Sequence, residues 1–394
     1  MLDQVNFPRL RAYRLGRVQE QLRRSGCGAV VLSNPANLRY ALGSRQAATF
    51  NLYSPAIHAV IPAEGQAVVF HQGDPHVYAG LDTVKALRPA CNWYFFEAGP
   101  RYLEKAALWA EHILEVLRDV GAAGLPLAVD RLDPAPAAAL QARGITLANG
   151  QELLEYARSI KSADEIACIR HVLAVCEGGM HRMRAALEPG LTEDQLWAIL
   201  WETNIRAGGE WIETRLLTSG PRTNPWLQSA SDRVIRHGDL VAFDTDLVGP
   251  NGYLADISRT FLCGSTKPSA EQKRLYKLAY EQLQHNVDLL KPGLSFRELS
   301  ERAWPLPEEF FENRYICVIH GAGMCDEYPL VPSIGDFAAH GYDGALQPNM
   351  VVCVESYIGA AGGSQGVKLE EQVLITEHGH ELLSSFPFED SLLS

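Results

Sequence analysis

Three aspartates within one predicted hairpin constrain this chain more than any other feature. Residues 241–262 predict two apolar strands that fold back on each other across a turn from Gly249 to Gly252. Asp244 and Asp246 are two residues apart, so an extended strand places both side chains on one face. Asp256 lies on the returning strand, where antiparallel pairing can bring it opposite them. Because buried like charges either take up protons or share a cation, the hairpin predicts a metal site.

The composition predicts a globular protein with two domains and a small-molecule substrate. A chain of 394 residues exceeds the usual size of a single core, and 47% hydrophobic with 21% charged residues is ordinary for a globular protein. The net charge of −12 argues against nucleic acid or an anionic membrane as partner. We expect neither a membrane span nor a secretory signal, because no long apolar run and no basic segment followed by an apolar one is present. Eight scattered cysteines predict free, mostly buried thiols in a cytoplasmic protein.

The amino-terminal part alternates predicted helices and strands, which indicates a compact α/β domain. The expected elements are a helix at 10–24, a strand at 29–33, a turn at 34–37, a hairpin of 56–61 with 66–71, a helix at 102–120 and a strand at 127–129. This part has no phosphate-binding glycine motif and no clustered ligands, so we expect a structural or dimerising role.

Helix-capping signals place the domain boundary near 157–162 and predict domains at 1–157 and 158–394. Ser162 or Asp164 is expected to cap a helix after a short break, and Thr192 with Gln195 predicts a further capped helix. Another helix is expected at 270–290, among strands and Gly/Pro turns. The carboxyl-terminal part is therefore predicted to be α+β.

Three further residues at apolar strands could complete a metal site. His320 and Glu355 are each predicted at the end of an apolar strand, and Glu370 precedes the apolar run of residues 373–375. Glu371 points to the opposite face of its strand and is expected to be exposed.

This order of residues resembles the pita-bread metallopeptidase family, which includes methionine aminopeptidases, prolidases, aminopeptidases P and creatinase. The resemblance implies a pita-bread catalytic domain preceded by a smaller creatinase-type α/β domain, and by analogy a homodimer. In that family two aspartates, one histidine and two glutamates bind a dinuclear metal centre. Carried over, the ligands are Asp244 or Asp246, then Asp256, His320, Glu355 and Glu370.

Departures from the peptidase pattern argue against peptide hydrolysis. Peptidases carry an aspartate where this chain has Thr245, and histidines where it has Trp226, Ile316 and Glu327. Those histidines bind the peptide and stabilise its tetrahedral intermediate. Without them, the negatively charged oxygen of that intermediate would be less well stabilised. Five carboxylates around two divalent cations also leave a net negative shell, which lowers Lewis acidity. An Xaa-Pro-type dipeptidase or aminopeptidase and a non-catalytic binding module remain as alternatives.

The chain is more similar to a narrower branch, the pita-bread dimethylsulfoniopropionate lyases. The similar segments are Gly208 to Leu217, Ser219 to Trp226, Phe243 to Leu247, Asp256 to Thr260, His320 to Glu327 and Val367 to Glu370. In these lyases both aspartates of the Asp-x-Asp pair bind metal, which gives six ligands: Asp244, Asp246, Asp256, His320, Glu355 and Glu370. The resemblance implies iron. Ligand chemistry alone allows iron, manganese or another hard-to-borderline divalent cation, with zinc less favoured.

The lyase resemblance also implies a reaction, β-elimination of dimethyl sulfide from a bound carboxylate with formation of acrylate. Asp326 is the implied base, and Tyr315 matches a tyrosine near the substrate. A sulfonium cation favours aromatic faces, for which Trp226, Tyr315 and Phe50 are candidates. The lyases carry tryptophan at the position of Phe50, so the particular substrate is left open.

Overall fold

The computed structural model describes residues 4–45, 52–54, 57–73 and 75–394. Two compact units make up this part of the chain, Val5–Arg158 and Ser159–Ser394. No helix of these residues combines the length and the apolar character that crossing a membrane requires. All eight cysteines are free thiols and six of them are buried, as predicted.

The α-helices are numbered in chain order. They are α1 Phe7–Ser25, α2 Pro35–Leu42, α3 Phe95–Ala98, α4 Tyr102–Asp119, α5 Pro134–Gln141, α6 Gly150–Ser159, α7 Ala163–Ala186, α8 Glu193–Arg206, α9 Ala270–Leu289, α10 Phe296–Arg302, α11 Ile334–His340 and α12 Asp390–Leu393.

The strands belong to four sheets, one in the amino-terminal unit and three in the carboxyl-terminal unit. They are β1 Ala29–Leu32, β2 His58–Pro62, β3 Ala67–His71, β4 Val84–Pro89, β5 Leu127–Val129, β6 Leu147–Asn149, β7 Trp211–Ile212, β8 Leu217–Ser219, β9 Leu240–Asp244, β10 Leu247–Val248, β11 Leu254–Ala255, β12 Ser258–Leu262, β13 Ile319–Ala322, β14 Asp326–Val331, β15 Val351–Ile358, β16 Val367–Ile375 and β17 His380–Leu382.

The amino-terminal unit is an α/β structure around a mixed six-stranded sheet of order β4-β3-β2-β1-β5-β6. The predicted hairpin is present as β2 and β3, which pair antiparallel. The turn predicted at 34–37 is wrong, because α2 begins at Pro35. Asn34 caps this helix by accepting a hydrogen bond from the Ala36 N–H, and proline at the first helical position suits a helix start.

Both helix caps predicted in the carboxyl-terminal unit are present, and each forms a capping box. Ser162 and Glu165 cap α7, which decides between the two cap candidates there, and Thr192 with Gln195 caps α8. Each box satisfies backbone N–H groups that have no partner within the helix.

The carboxyl-terminal unit is α+β, as predicted, with antiparallel strands and long helices. Its largest sheet has the order β14-β13-β15-β16-β17, and two three-stranded sheets have the orders β12-β9-β8 and β11-β10-β7. Helix α9 packs Leu275, Tyr276, Ala279 and Leu283 into the same core as the apolar residues of β15 and β16. The alternate residues of these strands are left to form a second, polar surface.

Candidate metal centre

The aspartate hairpin is interrupted where its carboxylates lie, so the prediction of a continuous strand through Asp244 and Asp246 is wrong. Strand β9 ends at Asp244, and the backbone of Asp246 has a left-handed φ of 35°. Opposite, Asp256 falls between β11 and β12, and its carboxylate accepts a hydrogen bond of 3.4 Å from the Asp246 N–H. The three buried carboxylates still converge, because the interruption turns Asp246 towards Asp256.

Thr245 spans this interruption and is fully buried. Its hydroxyl donates to the carbonyl of Ala255 at 3.0 Å and accepts from the N–H of Ile257 at 2.9 Å. These two backbone groups lie on either side of Asp256. At the position where peptidases carry a metal-binding aspartate, this chain therefore has a residue that holds the backbone of another candidate ligand.

The largest sheet supplies the other three candidate ligands from neighbouring strands. His320 lies on β13, and Glu355 and Glu370 lie directly opposite each other on β15 and β16. Glu355 is in the middle of its strand and His320 is the second residue of its strand, not the end residues that the sequence predicted. All three side chains are buried.

The six predicted ligand residues form one contiguous cluster. His320 Nε2 lies 3.3 Å from Glu355 Oε1, 3.6 Å from Asp256 Oδ2 and 3.8 Å from Glu370 Oε1. Three overlapping groups of possible ligand atoms lie within 4.8 Å of one another: Asp244 with Asp246 and Asp256, Asp244 with Glu355 and Glu370, and Asp256 with His320, Cys353 and Glu370. Asp244, Asp256 and Glu370 each belong to two of these groups. Two neighbouring cations that share ligands would need such an arrangement.

The donor set fits one or more divalent cations. Among the described residues, no group donates a hydrogen bond to Asp244 Oδ1 or Glu370 Oε1, although both oxygens are buried. Buried carboxylate oxygens are normally satisfied, so these two acceptors fit a cation as their partner. Carboxylates with one imidazole suit iron, manganese and related divalent metals.

Sequence reasoning overlooked Lys368, which lies inside the carboxylate cluster with no solvent exposure. Its Nζ is 2.6 Å from Glu355 Oε2, 3.1 Å from Asp244 Oδ2 and 3.2 Å from Glu370 Oε2. The signal was available, because residues two apart on a strand share a face and Glu370 follows Lys368 by two.

Electrostatic coupling shifts the pKa values of the cluster in opposite directions. Burial would raise the pKa of Asp244, but the Lys368 ammonium lowers it to about 2. Burial together with the neighbouring carboxylates raises the pKa of Asp256 and of Glu370 well above the usual range. Burial would lower the pKa of His320, but Glu355 and Asp326 raise it to about 10. In the metal-free cluster, protons therefore balance part of the charge that a cation would balance.

Asp326 lies at the mouth of the cluster, as the first residue of β14. Its Oδ1 is 3.5 Å from Nδ1 of His320, and its side chain keeps 61% exposure. Partial desolvation and the carboxylates of Asp244 and Glu355 raise the pKa of Asp326, whereas His320 lowers it. With that exposure, solvent screens part of these interactions.

Two of the three aromatic candidates contact the cluster. Lys368 Nζ lies 4.8 Å from the ring centroid of Tyr315 and 5.9 Å from that of Trp226. Trp226 is buried against Tyr357, and its indole N–H has no hydrogen-bond partner among the described residues. A cavity of about 300 Å³ reaches Tyr315 and Glu355. The third candidate, Phe50, lies outside the described residues.

Two positions where peptidases carry additional histidines are occupied here by Glu327 and Ile316, and neither side chain contacts the cluster as a hydrogen-bond donor. Glu327 accepts hydrogen bonds from Lys161 Nζ and from the Met324 N–H, both at 2.9 Å, in a buried ion pair. Ile316 is apolar and 59% exposed. The expectation of an exposed Glu371 is wrong, because Glu371 is buried in an ion pair of 2.5 Å with Arg259.

Comparison with known proteins gives one family and one fold. The model of metallopeptidase family M24 matches residues 167–377. The chain is 38% identical to dimethylsulfoniopropionate lyase DddP of Roseovarius nubinhibens over 98% of this chain and 88% of that protein. It is 36% identical to the lyase of the same name from Roseobacter denitrificans, over 100% of this chain and 89% of that protein.

Solved structures share the whole fold at low sequence identity. An Xaa-Pro dipeptidase from Bacillus anthracis superposes with a TM-score of 0.75 at 20% identity, covering 95% of this chain and 98% of that one. The fold predicted from the sequence, a pita-bread domain preceded by a smaller α/β domain, is confirmed.

Proposed function

The chain belongs to metallopeptidase family M24, and within this family we propose that it is a metal-dependent carbon–sulfur lyase. Its proposed reaction is β-elimination of dimethylsulfoniopropionate, or of a related small onium carboxylate, to acrylate and dimethyl sulfide. The observation that carries the proposal is the environment of the six-residue cluster. Asp326 lies beside it, whereas Trp226, Ile316 and Glu327 replace the histidines that serve peptide hydrolysis.

Membership of the family implies a divalent metal, and we propose iron in a dinuclear centre. Asp244, Asp246, Asp256, His320, Glu355 and Glu370 would hold it. When bound, the metal would hold the substrate carboxylate and acidify the adjacent C–H. Carboxylate and imidazole ligands favour iron or manganese, with zinc as a further possibility.

The chain's own residues would carry out the proton transfer and hold the cationic group. Asp326 accepts the proton from the carbon next to the carboxylate; that electron pair forms the new double bond as the carbon–sulfur bond breaks. The sulfur keeps the bonding pair and leaves as neutral dimethyl sulfide. Asp326 suits this role because it is exposed at the mouth and its pKa is raised.

Tyr315 and Trp226 are the proposed contacts of the sulfonium group. The Lys368 ammonium lies 4.8 Å from the centroid of the Tyr315 ring, so the opposite face of that ring is the one proposed to contact the sulfonium group. The unpaired indole N–H of Trp226 can donate to the substrate carboxylate. The adjoining cavity has room for a small ligand. Phe50 stays a proposed contact by resemblance alone.

We further propose a cytoplasmic homodimer. The free, mostly buried cysteines suit a reducing compartment. The dimer is proposed from the family resemblance, with the amino-terminal unit as the dimerising part.

The test uses the full chain, purified without oxygen so that native metal is retained. Metal analysis is combined with a panel of onium carboxylates and proline dipeptides. We expect acrylate and dimethyl sulfide, and a loss of roughly 100- to 10,000-fold in kcat for Asp326→Ala with metal content retained. The control is Asp343→Ala, an exposed aspartate outside the site.

Three results would overturn the proposal. Hydrolysis of Gly-Pro or Ala-Pro without elimination would establish the dipeptidase alternative. Native protein without metal and without either activity would indicate a binding module. Full elimination by Asp326→Ala would remove Asp326 as the base.

A further inference from the structure

Lys368 contacts one of the two carboxylate oxygens of each of three candidate ligands. Its ammonium contacts Oε2 of Glu355, Oδ2 of Asp244 and Oε2 of Glu370. The second oxygen of each carboxylate does not contact Lys368. Oε1 of Glu355 faces His320 Nε2 at 3.3 Å, and Asp244 Oδ1 and Glu370 Oε1 receive no hydrogen bond from the described residues.

Ser258 completes this arrangement. Its hydroxyl accepts a hydrogen bond of 2.7 Å from Lys368 Nζ and donates one of 2.7 Å to Glu370 Oε2. The ammonium has three donors that can point in diverging directions. Its hydrogen bonds go to acceptors on β12, β15 and β16, and Asp244 on β9 makes an ion-pair contact at 3.1 Å.

We propose that Lys368 is a positioning residue of the metal centre. By occupying one oxygen each of Asp244, Glu355 and Glu370, it leaves each carboxylate a single oxygen for the cation. With a metal bound, Lys368 would thereby limit the number of carboxylate oxygens that bind it and leave room for a substrate carboxylate. This inference rests on metal binding, which the family implies, and not on the elimination reaction.

The burial of Lys368 supports a role beyond surface charge. An ammonium with no solvent exposure is strongly destabilising unless it is paired and hydrogen-bonded. Here its Nζ lies 2.6 to 3.2 Å from three carboxylate oxygens and 2.7 Å from the Ser258 hydroxyl, so it is both paired and hydrogen-bonded. The partners that stabilise this buried lysine are therefore the candidate ligands themselves.

The test replaces the native metal with Co²⁺ and records the visible d–d absorption without substrate, which reports coordination number. Three variants are compared with the unaltered protein: Lys368→Met, Lys368→Arg and, as matched control, Lys161→Met. Lys161 is also a buried lysine paired with a carboxylate, but its partner Glu327 is not a candidate ligand.

We expect Lys368→Met to weaken and shift the d–d bands, because the freed oxygens enter the coordination sphere. Lys368→Arg is expected to shift them as well, since it keeps the charge but not the geometry. Lys161→Met should give the spectrum of the unaltered protein.

Unaltered bands in Lys368→Met would overturn the proposal, and so would an equal shift in the Lys161→Met control. If Lys368→Met does not fold, Lys368→Arg decides, because it retains the buried charge; an unaltered spectrum there refutes the positioning role. Because no substrate is present, failure of the lyase proposal would not affect this result.

Discussion

Thr245 provides a direct test of how this chain departs from the peptidases. We predict that Thr245→Val destabilises the protein and weakens metal binding, although the substitution conserves volume. The change removes the hydroxyl that pairs with the Ala255 carbonyl and the Ile257 N–H. The Ala255 carbonyl keeps its pairing with Leu247 in the ladder of β10 and β11, but the buried Ile257 N–H is left without a partner, which costs roughly 1–3 kcal/mol.

The chain offers a matched control in Thr218, on the neighbouring strand β8. Thr218 is also fully buried, but its hydroxyl has no hydrogen-bond partner among the described residues. Thr218→Val therefore removes an unsatisfied polar group and should be neutral or slightly stabilising. Both variants replace a threonine hydroxyl with a methyl group. Only Thr245→Val removes hydrogen bonds.

The measurement is urea denaturation of the metal-free proteins, followed by circular dichroism with the m values compared. Metal-free protein is needed because metal bound only to the native state would add its own stabilisation. Metal affinity is then measured separately by titration. Equal stability of Thr245→Val and the unaltered protein, or equal destabilisation by both valines, would refute the role of Thr245.

Two further predictions concern charges at the site. Glu327→Gln should destabilise the protein by about 3–5 kcal/mol, because it leaves the Lys161 ammonium without its charged partner; thermal denaturation with metal analysis checks this, and an unchanged Tm would contradict it. Metal uptake should release protons and strengthen as pH rises through neutrality, because the pKa of His320 is raised to about 10 and the pKa values of Asp256 and Glu370 are raised by burial. Calorimetry in buffers of different ionisation enthalpy measures the released protons, and a pH-independent affinity would contradict this prediction.

The features that could be predicted from the sequence are those specified locally. The capping box at Thr192 and the hairpin of β2 with β3 depend on neighbouring residues and are confirmed, and Ser162 is one of the two caps that the sequence offered for α7. Asp244, His320, Glu355 and Glu370 lie on strands and follow the period of those strands, whereas Asp246 and Asp256 join the cluster from interruptions between strands.

The features that could not be predicted depend on residues far apart in the chain. The left-handed backbone of Asp246 accompanies its contacts with Thr214 and Asp256. Glu371 is buried because Arg259, 112 residues earlier in the chain, pairs with it. A period-two pattern gives the face of such a residue but not whether another element covers it.

Lys368 changes the electrostatic argument about the reaction. Five carboxylates alone would leave two divalent cations in a net negative shell, which would argue against hydrolysis. Lys368 supplies a fifth positive charge in direct contact with three of those carboxylates, so the shell is balanced. Net charge therefore does not distinguish this site from that of a peptidase.

The groups around the cluster distinguish elimination from hydrolysis, because the two reactions need different groups there. An oxyanion needs donors placed around it. Glu327 is an acceptor already paired with Lys161, and the Ile316 side chain is apolar, so neither supplies a donor. The indole N–H of Trp226 is a donor but cannot exchange a proton as histidine does. The Asp326 carboxylate at the mouth is a group suited to accepting a proton from carbon.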